Sequence, residues 1–108
     1  MSGQWIKVAV VDDVPEGSTR FVEVNGNAVC LYNLAGTICA TQDLCTHAEA
    51  SLADGFIDGD VIECPLHQAT FDIRTGKAMS PPATEDLRVY PVRVDNGEIC
   101  VLDDAQSR

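Results

Sequence analysis

The sequence predicts an all-β chain, and three observations carry that expectation. Glycine turns recur along its length. No window of eleven or more residues shows the 3.6-residue period of a helix. The runs between turns are short and β-prone. With 108 residues, 45% of them hydrophobic, the chain fits one domain able to bury a core without disulfides.

The elements follow in order. Asn25-Gly26 separates residues 20–24 from 27–32, and Asn-Gly is the strongest two-residue hairpin signal because both turn residues need positive φ. Ala35-Gly36 parts two further β-prone runs. Asp58-Gly59 lies between Phe56-Ile57 and Val61-Ile62, and Thr75-Gly76 follows residues 70–73. Asn96-Gly97 parts residues 88–94 from 99–102, and in the first of these Val89, Pro91 and Arg93 alternate with Tyr90, Val92 and Val94. Antiparallel hairpins are the simplest connectivity. Pro81-Pro82 marks a loop, since proline cannot donate inside a central strand.

Residues from about 43 to 82 differ from the rest: they hold both histidines, two cysteines and the proline pair. The expected architecture is an antiparallel base, sandwich- or barrel-like, made from residues 1–42 and 83–108. It carries a small inserted β subdomain over residues 43–82, stapled by something other than a core.

A formal net charge of −10 argues against DNA, RNA and anionic membranes as partners and favours a basic protein surface. The opening MSGQWIKVAV is broken by Lys7 and followed by Asp12 and Asp13, which is not the pattern of a secretory signal. No run approaches the ~20 apolar residues of a membrane span. The expected address is the cytoplasm. Five cysteines make an odd set, better read as metal ligands or small core residues than as a disulfide framework.

Both histidines stand beside cysteines, as Cys45-Thr46-His47 and Cys64-Pro65-Leu66-His67, with sixteen residues between the pairs. Such ligands suit zinc or an iron–sulfur centre. Two-Cys, two-His zinc sites usually pair like with like, whereas here each pair is mixed. A single residue between Cys45 and His47 is also tight for two ligands on one tetrahedral ion. Two irons relieve that difficulty: Cys45 and Cys64 on one, His47 and His67 on the other. Two ferric ions, two sulfides and two thiolates sum to zero charge, so adding an electron costs less than it would with four thiolates. A structural zinc-binding interaction module remains the alternative of a different class; it would be colourless, where an iron–sulfur protein is red-brown.

These residues resemble the Rieske family pattern, C-x-H followed by C-x-x-H, at all four ligand positions. The chain is also similar, over nearly its whole length, to ferredoxin components of bacterial aromatic-ring-hydroxylating dioxygenase systems. The likeness runs through residues 43–47 and 62–67, Phe71-Asp72, Thr75-Gly76-Lys77 and Pro81-Pro82-Ala83. The resemblance implies a Rieske-type fold, one [2Fe–2S] cluster and no catalysis by this chain. It implies electron delivery from an NADH-dependent flavin ferredoxin reductase to a terminal Rieske oxygenase. It also implies solvent-facing histidines within a docking rim of Ala48, Leu66, Pro81 and Pro82. A small subunit of an assimilatory nitrite reductase is the alternative within electron transfer, and a monomer is the expected state. High-potential relatives carry an extra cysteine in each ligand loop, and a serine and a tyrosine that hydrogen-bond the centre. Here those positions read Ala50, Leu66, Ala69 and Phe71, which implies a low potential.

Of the remaining residues, Cys30, Cys39 and Cys100 read as core fillers. Trp5, Phe21 and Tyr90 read as core or edge packing, and Phe56 and Phe71 as packing beneath the ligand loops. The acidic residues around the middle segment, Asp43, Glu49 and Glu63 among them, could steer the chain onto a basic partner.

Overall fold

The computed structural model describes residues 3–46, 49–66, 69–80 and 85–103. In chain order the strands are β1 (Gln4–Val10), β2 (Thr19–Val24), β3 (Asn27–Leu34), β4 (Thr37–Gln42), β5 (Phe56–Asp58) and β6 (Val61–Glu63). After them come β7 (Thr70–Asp72), β8 (Ala78–Ser80), β9 (Val89–Tyr90), β10 (Val92–Asp95) and β11 (Glu98–Asp103). Two single 3₁₀ turns, Val11–Asp13 and Leu52–Asp54, are the only helical pieces among the described residues. All pairings are antiparallel and form three sheets: β1-β11-β10, β2-β3-β4-β9 and β5-β6-β7-β8.

Hairpin chemistry sets the registers. Asn25 (φ 50°) and Gly26 (φ 88°) make the two-residue turn that pairs Val24 with Asn27, and Asn96 (φ 54°) and Gly97 (φ 77°) pair Asp95 with Glu98. Ala35 takes the same left-handed conformation (φ 55°) ahead of Gly36, which makes it the one turn residue not chosen for that geometry.

The middle sheet is covered on both faces. From Val29 to Leu34 every residue of β3 is buried, the signature of a strand with no solvent side. On one face its Val29 and Leu31 join an outer core with Val22, Ala40, Ile99 and Val101. Cys30, Tyr32 and Leu34, on the opposite face, join an inner core with Leu52, Ile62 and Phe71. The buried Tyr32 hydroxyl pairs with that of Thr41 at 2.8 Å, as a buried polar group must.

The run expected over 88–94 is two strands. Pro91 cannot donate to a ladder, so the chain changes sheets there: β9 pairs with β4, and β10 with β11. The Pro91 carbonyl still accepts the Leu102 N–H at 3.0 Å.

The aromatic residues divide. Tyr90 and Phe71 are buried, while Trp5 and Phe21 lie half-exposed at sheet edges, with the Arg93 guanidinium 4.6 Å from the Trp5 ring centre. Phe56 does not pack beneath the ligand loops. It is 63% exposed, because the pleat places the row Phe56, Glu63, Thr70 and Ser80 on the outer face of the third sheet. The inward row is Ile57, Ile62, Phe71 and Ala78. Cys30 is a core residue as expected, whereas Cys39 and Cys100 are only partly buried.

Candidate metal centre

Each cysteine of the motif opens a loop closed in the same way. The Cys45 N–H donates to the Ala50 carbonyl at 3.0 Å, and the Cys64 N–H donates to the Ala69 carbonyl at 2.8 Å. The first loop springs from β4 through an isolated bridge between Leu44 and Ser51; the second springs from the end of β6. Asp43 anchors the first. Its N–H donates to Ala28 O at 3.1 Å, its carbonyl accepts from Leu52 N–H at 2.8 Å, and its carboxylate accepts from Ala53 N–H at 3.0 Å.

Of the four motif residues the structure brings Cys45 and Cys64 together. His47 and His67 lie outside the described residues, as do Ala48, Pro81 and Pro82 of the expected rim. Leu66 is described and is 46% exposed beside the second loop. The two thiols are buried in the inner core and meet each other without forming a disulfide. Burial pushes the Cys64 thiol up to about 11; the Leu66 N–H opposes this and the Cys45 thiol adds to it. That N–H donates to Cys64 Sγ at 3.4 Å. Ala69 and Phe71 are fully buried and offer no hydroxyl.

This donor set fits an iron–sulfur centre. Two buried sulfurs facing each other offer soft donors of the kind iron binds, and a bound cation favours the thiolate form of such ligands with release of protons. Among the described residues no group of three or more metal-binding side chains assembles.

Three residues hold the first loop in ways the sequence did not show. Asp43, expected among the acids that could steer the chain onto a partner, is instead buried and bonded within the loop. Gln42 donates through Nε2 to the Leu44 carbonyl at 2.7 Å and accepts the Arg88 N–H at 2.8 Å. Thr46 Oγ1 donates to the Glu85 carbonyl at 2.8 Å. Their polarity beside a ligand motif was the only signal, because two of the partners lie 46 and 39 residues away in sequence.

A chain of antiparallel sheets with two cysteine loops meeting in one core defines a class, and the comparison agrees: this chain belongs to the Rieske [2Fe–2S] domain family, whose model matches residues 4–91. The cofactor is accordingly a Rieske-type [2Fe–2S] cluster. Among relatives, the chain is 50% identical over 96 residues to the ferredoxin component of the naphthalene 1,2-dioxygenase/salicylate 5-hydroxylase systems of Ralstonia sp, covering 89% of this chain and 92% of that one. Among solved structures it is similar to a chain of the complex of reduced oxygenase and oxidized ferredoxin in carbazole 1,9a-dioxygenase (TM-score 0.86, 41% identity, 91% and 92% covered). It also superposes on the terminal oxygenase of carbazole 1,9a-dioxygenase from Novosphingobium sp. KA1 (TM-score 0.84, 27% identity). There it covers 94% of this chain but only 30% of the oxygenase.

Proposed function

We propose that this chain is the ferredoxin component of an aromatic-ring-hydroxylating dioxygenase system, carrying one electron at a time to the terminal oxygenase. One observation carries the reading: the match spans 92% of a ferredoxin component but 30% of a terminal oxygenase. The aligned part therefore corresponds to a carrier and not to a catalytic domain. The nitrite reductase alternative is not favoured beside a ferredoxin relative at 50% identity, and the zinc module is not favoured beside the Rieske match.

In this reading Cys45 and Cys64 bind one iron and His47 and His67 the other, within an insert over residues 43–82 on a base of residues 1–42 and 83–108. The division is supported by the third sheet, whose strands all fall between residues 56 and 80. When bound, the cluster accepts and releases a single electron. The chain's own part is to shield the sulfur end in the inner core and to present the histidine end to a partner. Leu66 supports such a rim by its exposure; Ala48, Pro81 and Pro82, its other expected members, lie outside the described residues. The electron donor is an NADH-dependent flavin ferredoxin reductase. The chain works as a monomer in the cytoplasm; no helix among the described residues is long and apolar enough to cross a membrane. With hydroxyls missing at Ala69 and Phe71, its potential lies low in the family range of about −150 to +300 mV.

Mixing the reduced protein with the terminal oxygenase of a ring-hydroxylating system tests the proposal by stopped flow. Reoxidation within the oxygenase's turnover time is expected, slowing as salt is added. A Leu66→Asp variant should slow transfer at least tenfold with an unchanged cluster spectrum. Failure of the parent protein to reduce any such oxygenase would reject the function; an unimpaired Leu66→Asp would reject docking at that rim.

A further inference from the structure

Residues 85–88 return the chain from the third sheet to the middle one, and they are gripped from three directions. The third sheet holds them through Asp86, whose carboxylate accepts the Ala78 N–H at 2.9 Å, and through Leu87, whose N–H donates to Gly76 O at 2.7 Å. The approach at Gly76 (φ 79°) is so close that a Cβ there would stand 2.3 Å from the Leu87 carbonyl oxygen. The middle sheet holds them through Gln42, whose N–H donates to Arg88 O and whose Oε1 accepts the Arg88 N–H, both at 2.8 Å. The first cysteine loop holds them through Thr46, by the hydroxyl bond to Glu85 O.

Gln42 serves two segments with one amide. Its oxygen faces residue 88 while its nitrogen binds the Leu44 carbonyl, one residue before Cys45. Residues 42–46 are thus laced to 85–88 on both sides of Cys45. A backbone loop fixed at one end only would leave Cys45 free to shift against Cys64. Fixing it at Leu44 and Thr46 removes that freedom, since each side-chain-to-backbone bond opposes local opening.

We propose that Gln42 and Thr46 are positioning residues for electron transfer: acting through residues 85–88, they fix where the first cysteine loop stands relative to the second. The proposal rests on reading Cys45 as a ligand. It assigns neither residue any contact with the metal or with a partner.

The test uses the intact holo-protein with Thr46→Val, Thr46→Ser and Gln42→Met, each assayed for iron and acid-labile sulfide. The reduced-state electron paramagnetic resonance spectrum, the reduction potential and amide exchange at Arg88 are then recorded. Thr46→Val and Gln42→Met should hold iron but show shifted or broadened g values and a displaced potential. Thr46→Ser, which keeps the hydroxyl, should restore the parent values. Exchange of the Arg88 amide should quicken about fivefold in Gln42→Met, the loss of one modest hydrogen bond. Fully loaded Thr46→Val and Gln42→Met with parental g values and potential would overturn the proposal. If Thr46→Val fails to load iron, Thr46→Ser must load it in full; equal failure of both would overturn the hydroxyl's role. Parent protein lacking iron altogether would instead condemn the ligand reading, and Arg88 exchange would still report whether the lacing exists.

Discussion

Strand β3 separates two cores built on different principles. The outer core, between the first and middle sheets, is hydrocarbon contributed by strands of up to eight residues, such as Val29, Leu31, Ile99 and Val101. The inner core, between the middle and third sheets, is closed by four strands of three residues each and has both motif thiols in it. Three-residue strands make few ladder bonds and cover little apolar area, so a sheet of them is marginal unless something else ties it. The outer core rests on hydrocarbon burial; the inner core has side-chain lacing besides, and on the proposed ligand reading a metal centre as well.

That contrast can be broken in graded steps. The largest effect is expected from Cys64→Ala, which removes one sulfur from the meeting point. Iron content should fall to near zero, while the far-ultraviolet strand signal of the two larger sheets persists. Simultaneous loss of that signal would show the two cores to be one cooperative unit. Leu31→Ala attacks the other side. Truncating a leucine buried in the outer core should cost ~2–5 kcal/mol in denaturant unfolding, yet leave the iron-to-protein ratio of the folded fraction unchanged.

A third step uses pH. Burial, partly offset by Tyr32, pushes the Cys30 thiol up to about 12 from its ordinary value of 9.0. The folded state therefore holds this proton more tightly than the unfolded chain does. Its stabilising effect is complete below pH 9.0 and is lost as pH rises toward 12, at ~1.4 kcal/mol per pH unit. Tyr32, raised chiefly by its own burial, adds a loss of the same sign. Cys30→Ala should flatten the alkaline limb of the stability profile by one proton; an unchanged slope would show that the thiol does not titrate on unfolding. The smallest effect is expected at Phe56: on the outer face of the third sheet, Phe56→Ser should change stability by less than ~0.5 kcal/mol.

Local chemistry was what the sequence displayed. Asn25-Gly26 and Asn96-Gly97 specify their turns by backbone preference, so the hairpins around them could be read directly. The Cys/His spacing pointed to the class of cofactor that the family match bears out. Long-range consequences were hidden. Pro91 showed that a strand would be interrupted but not that the chain would change sheets there. Phe56 reads as core by composition and is exposed by pleat parity, which one residue of register decides. Gln42 and Thr46 look like ordinary polar residues until the fold brings residues 85–88 against them.

The proposed function depends on unequal sharing of two irons, with sulfur ligands on one and imidazole nitrogens on the other. Pulsed electron paramagnetic resonance on the reduced protein, grown with ¹⁵N-histidine, tests this directly. Two strongly coupled histidine nitrogens on a single spin-coupled iron pair are expected. A reduced centre with no histidine nitrogen coupling, or a protein that binds zinc in place of iron and sulfide, would contradict it.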